Sequence, residues 1–470
     1  MIKSIILKGS AYEPRRKNRS RYSVLRNEKQ PKKILIHGSP YTLTENNHGD
    51  IEAVQGQSIV IEDGVITGLF PKEEARKLNF DEFDLIYDAE QRGGIVITPG
   101  FVNAHAHPPM YMLRGTLVDR EADLSHSLAG MAAIEGKMTD EEFYLGAVGD
   151  LTEQQRAGIT TALSHYGVFD PIERAAKDAQ MRVINAVSAV SNSHPENTPE
   201  FVERIVKQGG YFTEPAIAIH YPHKADAVVF AKLRKMMDEY GVRFTMHTSE
   251  NQQSVDDCMR VHGKRPIYAL KAFGVLGPQL ILSHAVHLDR EEIELLRDTK
   301  TAVVHLPTSN LLHRSGHFKY PLFVELGAEQ QIALGTDSVV SKNRLDMLTE
   351  ALQMKTLHQE TFEVSYANLF KMMTSQGARL LGYADVGRVA VGFKADLAFW
   401  KLKDRGFLPF DRKDPSTLIA NMITHGGRNI RDLMVGGKFV ISNRMHNYID
   451  ESSLLENIQE VHEDLRKRAT

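Results

Sequence analysis

Eight short, largely apolar runs recur through the middle of this 470-residue chain, separated by helix-like segments. Apolar runs of this kind are what parallel strands require when helices cover both faces of their sheet. The runs are residues 101–105, 160–165, 182–188, 216–220, 243–247, 280–284, 301–305 and 331–337. Strand-plus-helix units in this number predict an α/β protein with a (β/α)8 TIM barrel.

The segments between and outside these runs complete the predicted organisation. Residues 139–156, 225–240 and 290–297 carry apolar residues at i, i+3 and i+4, which indicates helices. Apolar and polar residues alternate around the Asp63-Gly64 turn, and strand-like segments occur again at residues 395–400 and 433–441. We therefore expect a small composite β-sandwich domain built from both chain ends. The predicted parts are residues 1–95 and 385–445 for this β domain, 96–384 for the barrel and 446–470 for a C-terminal helix.

Charge and composition exclude several classes of protein. The 57 Lys and Arg residues nearly balance 60 Asp and Glu residues, so no global field favours nucleic acid or an anionic membrane. A basic segment at residues 8–33 is interpreted as a solvated loop or extension. No apolar stretch is long enough for a membrane helix, and the short apolar start is no secretory signal, so we predict a cytoplasmic protein. Cys258 is the only cysteine, which excludes a thiolate metal cluster.

The residues that carry chemistry stand where the predicted strands end. Six of the eight runs finish on a histidine, and the last finishes on Asp337. In a barrel of this kind the C-terminal strand ends line the active-site face, so distant residues converge there. His105 and His107 lie two apart, on one face of an extended strand.

Taken together, these strand ends favour a metal-dependent hydrolase. Any one of these histidines or carboxylates could simply be a core or surface residue. Four separate strand ends, however, carry side chains that the same metal-dependent reaction could use. Three neutral imidazoles and a carboxylate hold a divalent metal with one position open for water. The metal lowers the pKa of that water towards 7, a carboxylate moves its proton, and a histidine can stabilise developing negative charge.

Several strings resemble the amidohydrolase superfamily. Residues 99–108 read Pro-Gly-Phe-Val-Asn-Ala-His-Ala-His-Pro, followed by Leu-Arg-Gly at 113–115, and this resembles the first-strand signature of that superfamily. The further matching strings are residues 246–250, 283–288, 304–310, 333–337 and 387–397. Their order is similar to the cytosine deaminase-like branch that includes S-adenosylhomocysteine deaminases and triazine hydrolases. The resemblance covers nearly the whole chain from residue 33.

This resemblance implies a set of site residues. The implied metal ligands are His105, His107, His247 and Asp337, and the implied catalytic groups are Glu250 as proton shuttle, His284 as polarising group and Asp337. His220 matches a substrate-binding histidine. Binuclear relatives carry a carboxylated lysine there, so His220 implies a single divalent ion, zinc first, with iron or manganese as alternatives. We expect His165, His287 and His305 to support the ligands or to pack.

The departures from the family pattern bear on the substrate. Residues 119–128 lack the tryptophan-bearing stretch of adenosine-type deaminases, and residues 338–343 also differ, so nucleoside recognition is not carried over. Residues 108–112 suggest an apolar pocket wall, equally compatible with barrel packing. The predicted substrate-binding residues are Met110, Arg114, His220 and Asn310.

The sequence therefore predicts an amidohydrolase-type enzyme that cleaves a non-peptide carbon–nitrogen bond of a small molecule. Two substrate classes stay open. One is an N-heterocycle that loses ammonia or an amine, and the other is an amide, urea or carbamate on a partly apolar aryl or alkyl molecule. A non-catalytic barrel relative is a remote alternative. We expect a homo-oligomer with no membrane or nucleic-acid partner.

Overall fold

The computed structural model describes residues 31–115, 124–342, 344–414, 416–426 and 430–469. Residues 8–30 of the predicted basic segment and residues 119–123 of the divergent stretch lie outside these ranges. The strands are β1 (Lys33–Glu45), β2 (Ile51–Glu62), β3 (Val65–Pro71), β4 (Leu85–Asp88), β5 (Ile95–Pro99), β6 (Phe101–Ala106), β7 (Ile159–Tyr166), β8 (Arg182–Ser188), β9 (Glu214–Ile219), β10 (Phe244–Thr248), β11 (Leu280–His284), β12 (Ala302–His305), β13 (Ile332–Leu334), β14 (Leu397–Lys401), β15 (Ile430–Val435), β16 (Lys438–Ser442) and β17 (Met445–His446).

Most of the α-helices lie between or after the barrel strands, and the last of them is near the C-terminus. They are α1 (Lys72–Ala75), α2 (Leu124–Glu135), α3 (Asp140–Arg156), α4 (Asp170–Ala179), α5 (Pro199–Gln208), α6 (Ala227–Tyr240), α7 (Gln252–His262), α8 (Pro266–Ala272), α9 (Arg290–Asp298), α10 (Pro307–Leu312), α11 (Tyr320–Glu325), α12 (Val339–Lys342), α13 (Met347–His358), α14 (Tyr366–Met372), α15 (Ser375–Leu380), α16 (Thr417–His425) and α17 (Glu451–Ala469). Across the described ranges, none of these helices has the length and apolar character needed to cross a membrane.

The barrel is an eight-stranded sheet in which β6 to β13 neighbour one another in chain order, with parallel pairing throughout. The predicted (β/α)8 architecture is confirmed. The strand interiors bury small and branched side chains such as Ala104, Ile184, Ala218 and Val304. These apolar side chains form a core within the barrel.

Asn103 joins the first and last barrel strands. Its Oδ1 accepts the backbone N–H of Thr336 at 2.9 Å, and its Nδ2 donates to the Thr336 hydroxyl at 2.7 Å. One residue on, the N–H of Asp337 donates to the carbonyl of His105 at 3.0 Å. These three hydrogen bonds, the seam of the barrel, hold Asp337 beside the end of β6, where His105 lies.

Strands from both chain ends form the composite β domain. One nine-stranded sheet runs in the order β17-β16-β15-β14-β5-β1-β2-β3, with β4 paired to β1, and its strands enclose a separate apolar core. The predicted Asp63-Gly64 turn has positive φ angles of 47° and 84°, which the tight hairpin requires. The predicted composite β domain is confirmed as part of the fold, while the exact domain limits stay predictions.

The β domain docks on the barrel through a few buried groups. Trp400 is fully buried, and its ring lies 5.5 Å, centroid to centroid, from that of Phe101 on β6. Asp396 accepts two hydrogen bonds from Arg182 of β8, at 2.9 and 3.1 Å, and one from the N–H of Gly436 at 2.7 Å. These contacts tie the returning chain to the barrel.

Candidate metal centre and active site

Three histidines converge at the C-terminal end of the barrel. His105 lies on β6, His107 directly follows that strand, and His247 lies on β10. The Nε2 atoms of His105 and His247 are 3.1 Å apart, and those of His247 and His107 are 3.3 Å apart. All three side chains are buried.

Hydrogen bonds on the far side of each ring orient these imidazoles. Nδ1 of His107 donates to the carbonyl of His165 at 2.6 Å, and Nδ1 of His247 donates to the carbonyl of His220 at 3.0 Å. Nδ1 of His105 lies 2.8 Å from the Ser283 hydroxyl. Because a carbonyl only accepts, the neutral rings of His107 and His247 present the lone pairs of Nε2 towards the common centre.

Asp337 completes the group just beyond β13. Its Oδ1 lies 3.4 Å from Nε2 of His107, while Oδ2 accepts from the Ser309 hydroxyl at 2.5 Å. Its φ of 60° is an unusual backbone conformation for a non-glycine residue. Burial by itself would raise the pKa of Asp337, but its electrostatic interactions with the surrounding histidines, His107 first, and the Ser309 hydrogen bond lower it. Asp337 is therefore a carboxylate.

This donor set fits a divalent metal ion. Two nitrogen ligands at about 2.0–2.1 Å from a tetrahedral ion lie about 3.4 Å apart, close to the separations found here. One ligand atom each from His105, His107 and Asp337 lie within 4.8 Å of one another. Burial first, and then neighbouring charge, lowers the pKa of His105 and His247 well below the usual value, so both are neutral at pH 7. Neutral imidazoles beside a carboxylate are metal-binding groups.

The predicted proton shuttle and polarising group stand beside these ligands. Glu250 lies two residues after β10, with its side chain buried, and its Oε2 is 3.8 Å from Nε2 of His284. Nδ1 of His284 lies 2.8 Å from Oδ1 of Asn310 and donates to it. The hydroxyl of Tyr221 donates to Oε2 of Glu250. The structure thus brings Glu250 and His284 together, as the sequence predicts.

His220 and His165 flank the ligands from β9 and β7. The ring centroid of His220 lies 4.9 Å from that of His247, almost perpendicular to it. A ring nitrogen of His165 lies within 4.8 Å of ligand atoms of His105 and His247. The ε-amine that a binuclear site needs is missing from the end of β9, and Lys224 beyond it is exposed.

The other predicted substrate-binding residues have different surroundings. Arg114 donates to both carboxylate oxygens of Glu153 on α3, at 2.7 and 2.8 Å, and lies over the ring of Tyr111. Met110 is half-buried against the apolar core. Asn310 is buried and contacts His284 rather than open space. Substrate binding by these three residues stays a prediction.

Sequence reasoning missed three groups that orient the site. They are Ser283 at His105, Ser309 at Asp337 and Tyr221 at Glu250. Ser283 and Ser309 lie inside the matching strings, and Tyr221 follows His220, so position along the chain was the only signal available. Their contacts depend on which strands are neighbours in the barrel.

A (β/α)8 barrel with imidazole and carboxylate groups that could hold a metal ion at its strand ends is typical of one class, the metal-dependent barrel hydrolases. Residues 96–440 match the model of the amidohydrolase family. This chain belongs to the amidohydrolase family. The predicted superfamily and the predicted amidohydrolase-type activity on non-peptide carbon–nitrogen bonds are confirmed.

Relatives and solved structures are similar over nearly the whole chain. A 5-methylthioadenosine/S-adenosylhomocysteine deaminase of Syntrophomonas wolfei is 30% identical over 423 residues, which is 87% of this chain and 95% of the relative. An adenosine deaminase structure from Xanthomonas campestris with bound zinc has a TM-score of 0.82 and 25% identity, covering 94% and 100% of the two chains. A triazine hydrolase from Arthrobacter aurescens shares the fold, with a TM-score of 0.82 at 20% identity and coverage of 92% and 99%.

Proposed function

We propose that this enzyme deaminates a small amino-substituted N-heterocycle of nucleoside type, with one zinc ion held by His105, His107, His247 and Asp337. The observation that carries the proposal is the position of Glu250 and His284 beside that donor set. The similarity to enzymes named as deaminases of 5-methylthioadenosine, S-adenosylhomocysteine and adenosine supports the choice of leaving group.

The ion supplies Lewis acidity, which lowers the pKa of water and makes hydroxide available near neutral pH. Imidazole and carboxylate ligands also suit iron or manganese, which stay alternatives to zinc. The Nδ1 atoms of the three ligand rings are hydrogen-bonded to the carbonyls of His165 and His220 and to the Ser283 hydroxyl. These bonds would hold the rings in position for the ion.

Glu250 carries the proton in this proposal. Its carboxylate takes a proton from the attacking water while the oxygen bonds to the amino-bearing ring carbon. It gives this proton to the ring nitrogen beside that carbon and then carries the remaining proton of the added oxygen to the amino group. The carbon–nitrogen bond breaks, ammonia departs, and the carbon becomes a carbonyl while the ring nitrogen keeps its hydrogen. The balance is one water consumed and one ammonia released.

His284 assists on the other side of the reacting carbon. Because Oδ1 of Asn310 accepts the hydrogen of Nδ1, Nε2 of His284 faces Glu250. From that position Nε2 can hydrogen-bond the attacking oxygen and orient it towards the reacting carbon. Asn310 thereby orients the ring of His284, and the substrate contact expected for Asn310 stays a prediction.

The substrate class is tested by measuring products over a panel. Adenosine, 5-methylthioadenosine, S-adenosylhomocysteine and guanine report ammonia release, and anilides and phenylureas report amine release from an amide or urea bond. We expect ammonia release to dominate with zinc-loaded enzyme. Dominant amine release from the anilides or ureas would instead establish the alternative amide, urea or carbamate reading.

Glu250→Gln separates chemistry from metal binding. We expect the variant to keep about one zinc per chain and to lose about 100-fold to 10,000-fold in kcat, the typical contribution of a positioned acid–base group. Retained turnover would remove Glu250 from the proton-transfer role. The predicted homo-oligomer and cytoplasmic location stay predictions.

A further inference from the structure

Tyr221 is a buried side chain with no task in the proton transfer described above. It follows His220 at the end of β9, and its exposed fraction is 7%. Its hydroxyl donates to Oε2 of Glu250. Its ring lies 5.5 Å, centroid to centroid, from that of His247, and stacks at 5.3 Å and 11° on His223.

The backbone conformation of Tyr221 is also restricted. Pro222 follows it, and a residue before proline is restricted to the extended conformation, which Tyr221 adopts with φ −139° and ψ 156°. Its carbonyl accepts the N–H of Lys224 at 3.0 Å. The preceding carbonyl, of His220, orients His247. Consecutive residues of one chain segment therefore contact a metal ligand and the proton shuttle.

We propose that Tyr221 is a positioning residue that holds Oε2 of Glu250 and leaves Oε1 available to the proton in transit. The inference rests on the proposed role of Glu250. A glutamate side chain has three rotatable bonds, so one fixed oxygen restricts where the other can lie. Near-attack geometry is sensitive to displacements of this kind.

The hydroxyl is suited to this task because it stays protonated. A tyrosine hydroxyl is protonated near neutral pH, because its ordinary pKa is about 10. The phenol therefore remains a donor through the catalytic cycle and does not compete with the leaving nitrogen for the proton. Glu250 is the group that exchanges it.

Tyr221→Phe removes the hydroxyl and keeps the ring. Because hydrogen bonds to charged acceptors are among the strong ones, we expect kcat to fall about tenfold to a hundredfold, with KM and zinc content unchanged. The kinetics use zinc-loaded enzyme and the heterocycle that the panel shows to be turned over fastest. A larger solvent deuterium isotope effect on kcat is expected, because proton transfer then limits the rate.

Tyr87→Phe is the matched control. Tyr87 is also buried and donates to Oδ2 of Asp432 at 2.5 Å, but it lies in the β domain. We expect it to lose stability without any change in kcat or isotope effect. If both variants change kcat alike, the effect of Tyr221→Phe is structural and the proposal is wrong.

The remaining outcomes are equally decisive. An unchanged kcat, a rise in KM alone or loss of zinc in Tyr221→Phe would each overturn the positioning role. Tyr221→Phe should also have no further effect in a Glu250→Gln background, because both act through one carboxylate. If Glu250→Gln itself keeps full activity, the proposed proton-transfer role of Glu250 fails, and a crystal structure of Tyr221→Phe still shows whether the carboxylate of Glu250 has moved.

Discussion

His446 makes the stability of this enzyme dependent on pH. Its imidazole is 4% exposed, and Nδ1 accepts the backbone N–H groups of Tyr448 at 3.1 Å and Ile449 at 3.0 Å. Nε2 donates to Oε1 of Gln155 on α3 at 3.0 Å. A second proton would have to sit on Nδ1, facing two donors. Burial accordingly lowers the pKa of His446 to about 4.

The sign of the effect follows from comparing the folded and unfolded chains. An unfolded histidine has a pKa near 6.5, so between about pH 6.5 and 4 the unfolded chain binds a proton that the folded chain does not. The stabilisation is complete above pH 6.5 and is lost as the pH falls towards the folded pKa. A difference of about 2.5 pKa units corresponds to about 3 kcal/mol, of which about 2 kcal/mol is lost by pH 5.

Urea unfolding at pH 8 and pH 5 measures this loss, with the fluorescence of buried Trp400, the only tryptophan, as the probe. The comparison is His446→Asn, whose Oδ1 can accept the same N–H groups but does not titrate. We expect the free energy of unfolding of the wild type to fall by about 2 kcal/mol more than that of the variant. The other buried histidines are present in both proteins and cancel. Equal losses in the two proteins would refute the reasoning.

Three further predictions follow from single contacts. Ser283→Ala should weaken zinc binding about 10-fold to 100-fold in chelator competition, because His105 loses its outer hydrogen bond; an unchanged affinity would show that the bond does not orient the ring. Asn310→Ala should lower kcat at constant zinc content by freeing His284, and a change in KM alone would restore Asn310 as a substrate contact. Asp396→Ala should cost about 3 kcal/mol in the free energy of unfolding, since it leaves Arg182 and the N–H of Gly436 without their partner; a loss below about 1 kcal/mol would contradict that account.

Much of the fold was predictable because the pattern is local. Each barrel strand is one apolar run, and β6 (Phe101–Ala106) and β10 (Phe244–Thr248) nearly coincide with the predicted runs 101–105 and 243–247. The hairpin turns at Asp63-Gly64 and Gly436-Gly437 were equally readable, because residues with positive φ must stand there. The seam could not be predicted from the sequence, because its hydrogen bonds join the side chain of Asn103 to Thr336, which lies far away along the chain.

The site divides in the same way. The positions of His105, His107, His247 and Asp337 at strand ends, together with the family resemblance, are enough to indicate the donor set from the sequence alone. The orientation of those side chains depends on contacts between separate strands, such as the hydrogen bond between Ser283 of β11 and His105 of β6. Asn310 and His284 were both predicted as site residues, but the hydrogen bond between them could not be predicted from the sequence.

The sequence by itself determined the barrel, the composite β domain and the residue types at the strand ends, because periodicity and strand length are properties of neighbouring residues. Only the tertiary structure decided which nitrogen of each histidine faces the centre, which oxygen of Glu250 accepts the hydroxyl of Tyr221, and that Arg114 is paired with Glu153. These choices are hydrogen bonds between segments far apart in the chain. Their partners become neighbours only when the barrel closes.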